Sequence, residues 1–117
     1  MELRFDAHNY PGIVVVYCKG RMVYLHEASE LSNRVSDWLQ RTRQLVLELS
    51  GVESVAGAGL GQLAVIVMWA QACRCNIRIA APRQNVRELL ELTNLTSVLK
   101  IHSTLDEAVA SCRARVA

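Results

Sequence analysis

Short apolar runs, each too brief for a helix and each followed by helical periodicity, constrain this chain more than any other feature. Ile13-Val14-Val15-Val16-Tyr17-Cys18 is β-branched and aromatic, the composition of a central strand. Leu45-Val46-Leu47-Glu48-Leu49 and Ile77 to Ala80 read the same way. Between the first two, Ala28, Leu31, Val35, Trp38 and Leu39 form one stripe of an amphipathic helix running to Thr42. Ser50 to Ala56 reads as a loop, and Gly57 to Cys73 as a second helix. Pro82 suits the first turn of a third, carrying Val86, Leu89 and Leu90 and ending near Thr93. Upstream, Leu3 and Phe5 alternate with charged residues before a turn at Asn9-Tyr10-Pro11-Gly12. Lys19-Gly20 interrupts the first apolar run, leaving Met22 to Leu25 as a continuation or a separate strand, and Val98 to Ile101 reads as a last strand. Ser103-Thr104-Leu105-Asp106 resembles a capping box, with the Ser103 hydroxyl as cap of a final helix. Strands alternating with helices imply an α/β fold: a mixed, partly parallel sheet of four to six strands with about four helices, in one domain spanning 1–117.

Charge and composition exclude several function classes. Thirteen Lys plus Arg against eleven Asp plus Glu leave a net charge of +2, and the bases are scattered, so the chain carries no nucleic-acid footprint. The longest apolar stretch, Leu60 to Ala70, is too short to span a bilayer. The N-terminus lacks a basic segment followed by an apolar one, which points to a cytoplasmic protein with reduced thiols. The four cysteines, Cys18, Cys73, Cys75 and Cys112, have no zinc-type spacing, and Cys73-Arg74-Cys75 is their single close pair. His8, His26 and His102 lie far apart, and no nucleophile motif is present, so neither an enzyme, a metal nor a cofactor is expected.

The informative stretch is Gly57-Ala58-Gly59-Leu60-Gly61, placed after a strand and at a helix start. A helix N-terminus with bare backbone can cradle phosphate. The spacing matches neither a dinucleotide fingerprint nor a P-loop, and no Lys follows. The helix that follows is unusually dry: Gln62 and Gln71 are its only polar side chains up to Cys73. Leu60, Leu63, Ala64 and Val67 make a stripe for the sheet, leaving Val65, Ile66 and Trp69 on the other side. Such a helix is either enclosed or half-covered by a partner, and in the second case Ile66 and Trp69 are the anchors.

The segment from Leu47 to Leu63 resembles the signature of the STAS domain of bacterial anti-sigma factor antagonists and sulfate-transporter tails. The family pattern runs Asp-Leu-Ser, a variable turn, a hydrophobic residue, then Asp-Ser-Ser-Gly-Leu-Gly. The likeness continues through Ile77-Arg78-Ile79-Ala80, Val86 to Leu90, Leu92 to Leu95 and Leu105-Asp106-Glu107-Ala108. It implies a non-enzymatic module in partner switching, which binds an anti-sigma factor or related serine kinase until its second signature serine is phosphorylated. This chain departs at that place: Glu48 stands for the strand-end Asp, Ala56 for the second Asp, Gly57 for the first serine and Ala58 for the phosphoacceptor. No phosphorylation site is therefore expected. The joint change at Ala56 and Gly57 argues against an isolated alteration at Ala58. The resemblance places partner contact at Val55, Ala56, Gly57, Ala58, Gly59, Leu60 and Gln62, with Ile66 and Trp69 beyond. Alternatives are a STAS subunit of a lipid-transport or stress-signalling assembly, a homo-oligomer, or a nucleotide- or small-ligand-binding module.

Overall fold

The computed structural model describes residues 4–10, 13–22, 25–55, 57–94 and 99–116. These form, in order, β1 (Arg4–Tyr10), β2 (Ile13–Met22), α1 (Leu25–Leu39), β3 (Gln44–Val55), α2 (Gly57–Ala72), β4 (Asn76–Ala80), α3 (Gln84–Leu92), β5 (Lys100–His102) and α4 (Leu105–Val116). The strands lie side by side in sequence order. β1 runs antiparallel to β2, and every later pairing is parallel. The expected α/β architecture, its strand count and its helix count are all present.

Alternation along the strands builds two cores. Val14, Val16 and Cys18 of β2, Leu45, Leu47 and Leu49 of β3, and Ile77 and Ile79 of β4 share one face with α1, α2 and α3. Ile13, Val15, Val46 and Ala80 face the other way, onto Ala108, Val109 and Cys112 of α4. The first core is thus covered by three helices and the second by one. Leu31 and Val35 of α1 are fully buried, with Trp38 and Leu39 packed at the margin, as their helical spacing requires. Ala28 of the same stripe lies where side chains are outside the described residues.

The α4 face also contains Arg78, which is 2% exposed. Its Nη1 lies 3.2 Å from His102 Nε2. A guanidinium can only donate, so Nε2 accepts and the His102 proton sits on Nδ1.

The sequence expectations fail mainly at boundaries. Ser50–Val55 is strand rather than loop: β3 is 12 residues long and pairs with β2 as far as Val55. β4 ends opposite Glu48, so among the described residues no strand pairs with the outer half of β3 on that side. Side chains replace it. Arg83 Nε donates to the Ser50 carbonyl at 2.9 Å and Asn85 Nδ2 to that of Glu53 at 2.8 Å. Lys19-Gly20 does not end β2, which accommodates the interruption through two register shifts and a Gly20 φ of 119°. β2 continues through the interruption to Met22 and α1 opens at Leu25, while the intervening Val23 and Tyr24 of the expected strand lie outside the described residues. Pro82 precedes the N-cap Arg83 instead of entering the helix. The last strand begins at Lys100, and the Val98 where it was expected to start is outside the described residues. The cap of α4 is Thr104, not Ser103: Thr104 Oγ1 accepts from Glu107 N–H at 3.1 Å, and Glu107 Oε2 accepts from Ser103 N–H at 3.2 Å.

Gly51 is fixed by crowding between β2 and β3. A Cβ there would lie 2.8 Å from the Cys18 carbonyl oxygen and 3.2 Å from Lys19 Cβ. Backbone cannot retreat as a side chain can. Gly51→Ala should therefore destabilise the fold by about 1–3 kcal/mol, read as a lower midpoint in urea denaturation.

Candidate protein-docking surface

The β3–α2 junction puts Val55, Gly57, Ala58, Gly59 and Leu60 near the carboxyl end of the parallel strands, the edge where α/β sheets present their binding surfaces, while Ile66 and Trp69 lie farther along α2. Glu48, at the strand-end position, turns its Oε1 onto the Ser50 amide and pins the start of the outer half of β3. Its carboxylate also adds to the effect of burial on Cys18, whose thiol is pushed up to about 12.

The predicted residues divide sharply by burial. Val55 and Gly59 are buried, Leu60 and Gln62 half-buried, and Gly57 exposed. Ala56 lies outside the described residues. Ala58 falls in the first turn of α2, but its side chain is outside the described set. Ile66 overturns its expected role: it is fully buried and belongs to the core with Leu63, Val67 and Ala70. The reason is angular, because Gly59, Leu63, Ile66, Val67 and Ala70 make the buried arc, whereas Leu60 and Ala64 sit at its edges. Trp69 is exposed as expected, at 39%.

Met68, which the apolar pattern did not single out, is the most exposed large apolar side chain of α2 at 67%. Gly57, Gly61, Ala64 and Met68 recur at helical spacing along one stripe, with Val65 and Trp69 beside it. The stripe contains no charge. It is bare backbone at its start and bulky at its far end. Counting four, three and four residues from Gly57 would have found it. Gly57 and Gly61 have nothing among the described residues within 4 Å of where a Cβ would stand, so packing against those residues does not require either glycine. Small residues that the fold does not need leave room for another surface to approach.

The chain belongs to the STAS domain family. The family model matches residues 4–108. Over 70 residues the chain is 31% identical to a candidate anti-sigma factor antagonist of Thermotoga maritima, and over 72 residues 29% identical to its Thermotoga neapolitana counterpart. These matches span 60% and 62% of this chain, and 62% and 64% of those relatives, a little under two thirds of their length. Among solved structures, an anti-sigma factor antagonist from Mycobacterium paratuberculosis superposes with a TM-score of 0.85 at 23% identity, covering 96% of this chain and 95% of that one. Unphosphorylated SpoIIAA, also an anti-sigma factor antagonist, gives 0.78 at 15% identity, with 95% and 97% covered. Identities this low establish a shared fold. Together with the family match they make this a STAS domain of the fold that those antagonists share. No helix among its described residues is long and apolar enough to cross a membrane.

Two outcomes follow for the STAS scaffold around this surface. Gly61→Ala should raise stability by about 0.5–1 kcal/mol in urea titration, since the helix interior gains Ala and meets open space. His102 has its pKa lowered, first by burial and then by Arg78. The folded state therefore binds fewer protons than the unfolded one, and stability should be full above pH ~6.5 and fall below it. His102→Gln should flatten that part of the pH–stability curve.

Proposed function

We propose that this STAS domain is a non-enzymatic docking module that engages an anti-sigma factor, or a related serine kinase, and thereby acts in transcription regulation. Contact is made through the start of α2 and its exposed apolar stripe. The observation that carries this reading is the pair of exposed glycines, Gly57 and Gly61, which packing among the described residues does not demand. Met68 and Trp69 extend the same surface with the bulk and polarizability that interface anchors use. A partner lying over Gly57 and Gly61 can approach the helix backbone and cover both larger side chains.

The absence of a hydroxyl at Ala58 gives this docking its own regulatory character. A serine at that position would accept a phosphate of about −1.5 to −2 charge, which would stand inside the contact and oppose an apolar partner. Alanine cannot take one. Docking by this chain is accordingly constitutive with respect to a kinase and is controlled by abundance or by the partner's own state.

Isothermal titration against each anti-sigma factor of the same genome tests the proposal. One partner should bind the unaltered chain, and Trp69→Ala should weaken it at least about tenfold, or 1.4 kcal/mol. Ala58→Asp should weaken it further, with the unfolding midpoint of each variant recorded as a control. Unchanged affinity in both variants would remove the surface from consideration.

A further inference from the structure

The other end of α2 holds a feature that partner docking does not use. The helix terminates in a Schellman motif with Arg74 in the left-handed position, at φ 57°. Cys75 N–H reaches back to the Ala70 carbonyl at 2.8 Å and Arg74 N–H to that of Gln71 at 3.3 Å. This turn sets Cys73 and Cys75 side by side, with their sulfurs 2.9 Å apart. Two sulfurs at this distance stand within about 1 Å of the length of a disulfide bond, so closing one between them needs only a short approach of the two atoms.

Their surroundings assign them different roles. Cys73 is exposed and Cys75 half-buried. Cys75 Sγ lies among the carbonyl oxygens of Leu39, Thr42 and Cys73, at 3.6–3.9 Å. Oxygens with partial negative charge disfavour a thiolate there. Burial, followed by the Cys73 hydrogen bond, pushes its thiol up to about 11. Cys73 is thus the thiol that meets solvent, and Cys75 is the one held behind it.

The approach to the pair is cationic. A surface hollow of about 220 Å³ is lined by both cysteines with Arg41, Thr42 and Arg43. A second, of about 340 Å³, shares Cys75 and Arg43 and adds Arg74. Among the described residues no carboxylate lines either one. Arg41 stands 5.8 Å above the Trp38 ring, which holds that charge at the rim. Cys18 and Cys112 are both buried, on separate faces of the sheet, and cannot compete.

We propose that Cys73 and Cys75 form a reversible redox site that exchanges with small anionic disulfides of the glutathione class. The Cys73 thiolate attacks one sulfur of the small disulfide, forming a mixed disulfide and releasing one small thiolate. Cys75 then gives up its proton to solvent and attacks Cys73 Sγ, releasing the second. The two protein thiols lose two electrons and two protons, and the small disulfide takes them up as two thiols. The arginines supply the attraction for the negatively charged reagent, and the sulfur contact makes the second step intramolecular.

Mass spectrometry of the full chain incubated with glutathione disulfide tests this directly. The product should be two hydrogens lighter than the reduced chain, carry no glutathione, and show two of its four thiols lost, both in the Cys73–Cys75 peptide. Cys75→Ser should instead retain one glutathionyl group on Cys73, and Cys73→Ser should slow thiol loss by about an order of magnitude or more. The reaction should be faster at low salt than at high salt, while neutral hydroxyethyl disulfide should show little salt dependence. A wild-type product that keeps glutathione, a cross-linked dimer, or no reaction would each overturn the proposal. Equal salt dependence of the two reagents would overturn the role given to the arginines.

Discussion

The pairing of β2 with β3 is the constraint on which the rest of the molecule depends. The first halves of both strands are apolar on both faces, so each must be covered twice there, and the helices are distributed to do so. β3 also outruns β4, which leaves its outer half supported by β2 on one side and by the Arg83 and Asn85 side chains on the other. The tight approach at Gly51 and the register shifts in β2 belong to this extension. It delivers the chain to Val55 and fixes where α2 begins. A shorter β3 would start that helix elsewhere and move the docking surface with it.

α2 has two apolar faces with different duties. Its buried arc of Leu63, Ile66, Val67 and Ala70 joins the helical layer to the sheet. Its outer stripe progresses from bare glycine to Met68 and Trp69. A helix packed only for stability would carry charge on its outer side, because charge there is solvated at little cost. Retaining an apolar stripe in water is favourable only when something else covers it for part of the time.

Much of the fold was legible because its elements obey local rules. Apolar runs marked the cores of β2, β3 and β4, and spacing marked the buried side of α1. What was misread depends on contacts distant in sequence. Nothing near Ser50–Val55 announces a strand, since its partners are β2 and two side chains more than thirty residues away. The junction of β3 with α2 was located by a signature, whereas the side of α2 that faces solvent was not. A helix apolar all round has no internal contrast to orient it, so Ile66 was assigned outward and Met68 was overlooked. The cysteine pair was visible as a spacing, but its sulfur contact arises from the left-handed turn at Arg74, and Arg is not the residue by which such turns are recognised.

The unequal covering of the sheet has a kinetic consequence. α1, α2 and α3 share one continuous core, so none of them can lift away without disturbing the others. α4 rests alone on Ile13, Val15, Val46 and Ala80 and contributes Ala108, Val109 and Cys112. Its detachment opens the smaller of the two clusters and leaves the larger core closed. Backbone amides of α4 should thus exchange with solvent through a local opening, while those of β3 wait for the whole chain to unfold. Each such opening also brings water to Arg78, the buried charge beneath that layer, which lowers the cost of separating the two. The two sides of the sheet should therefore open on different timescales, the α4 side first.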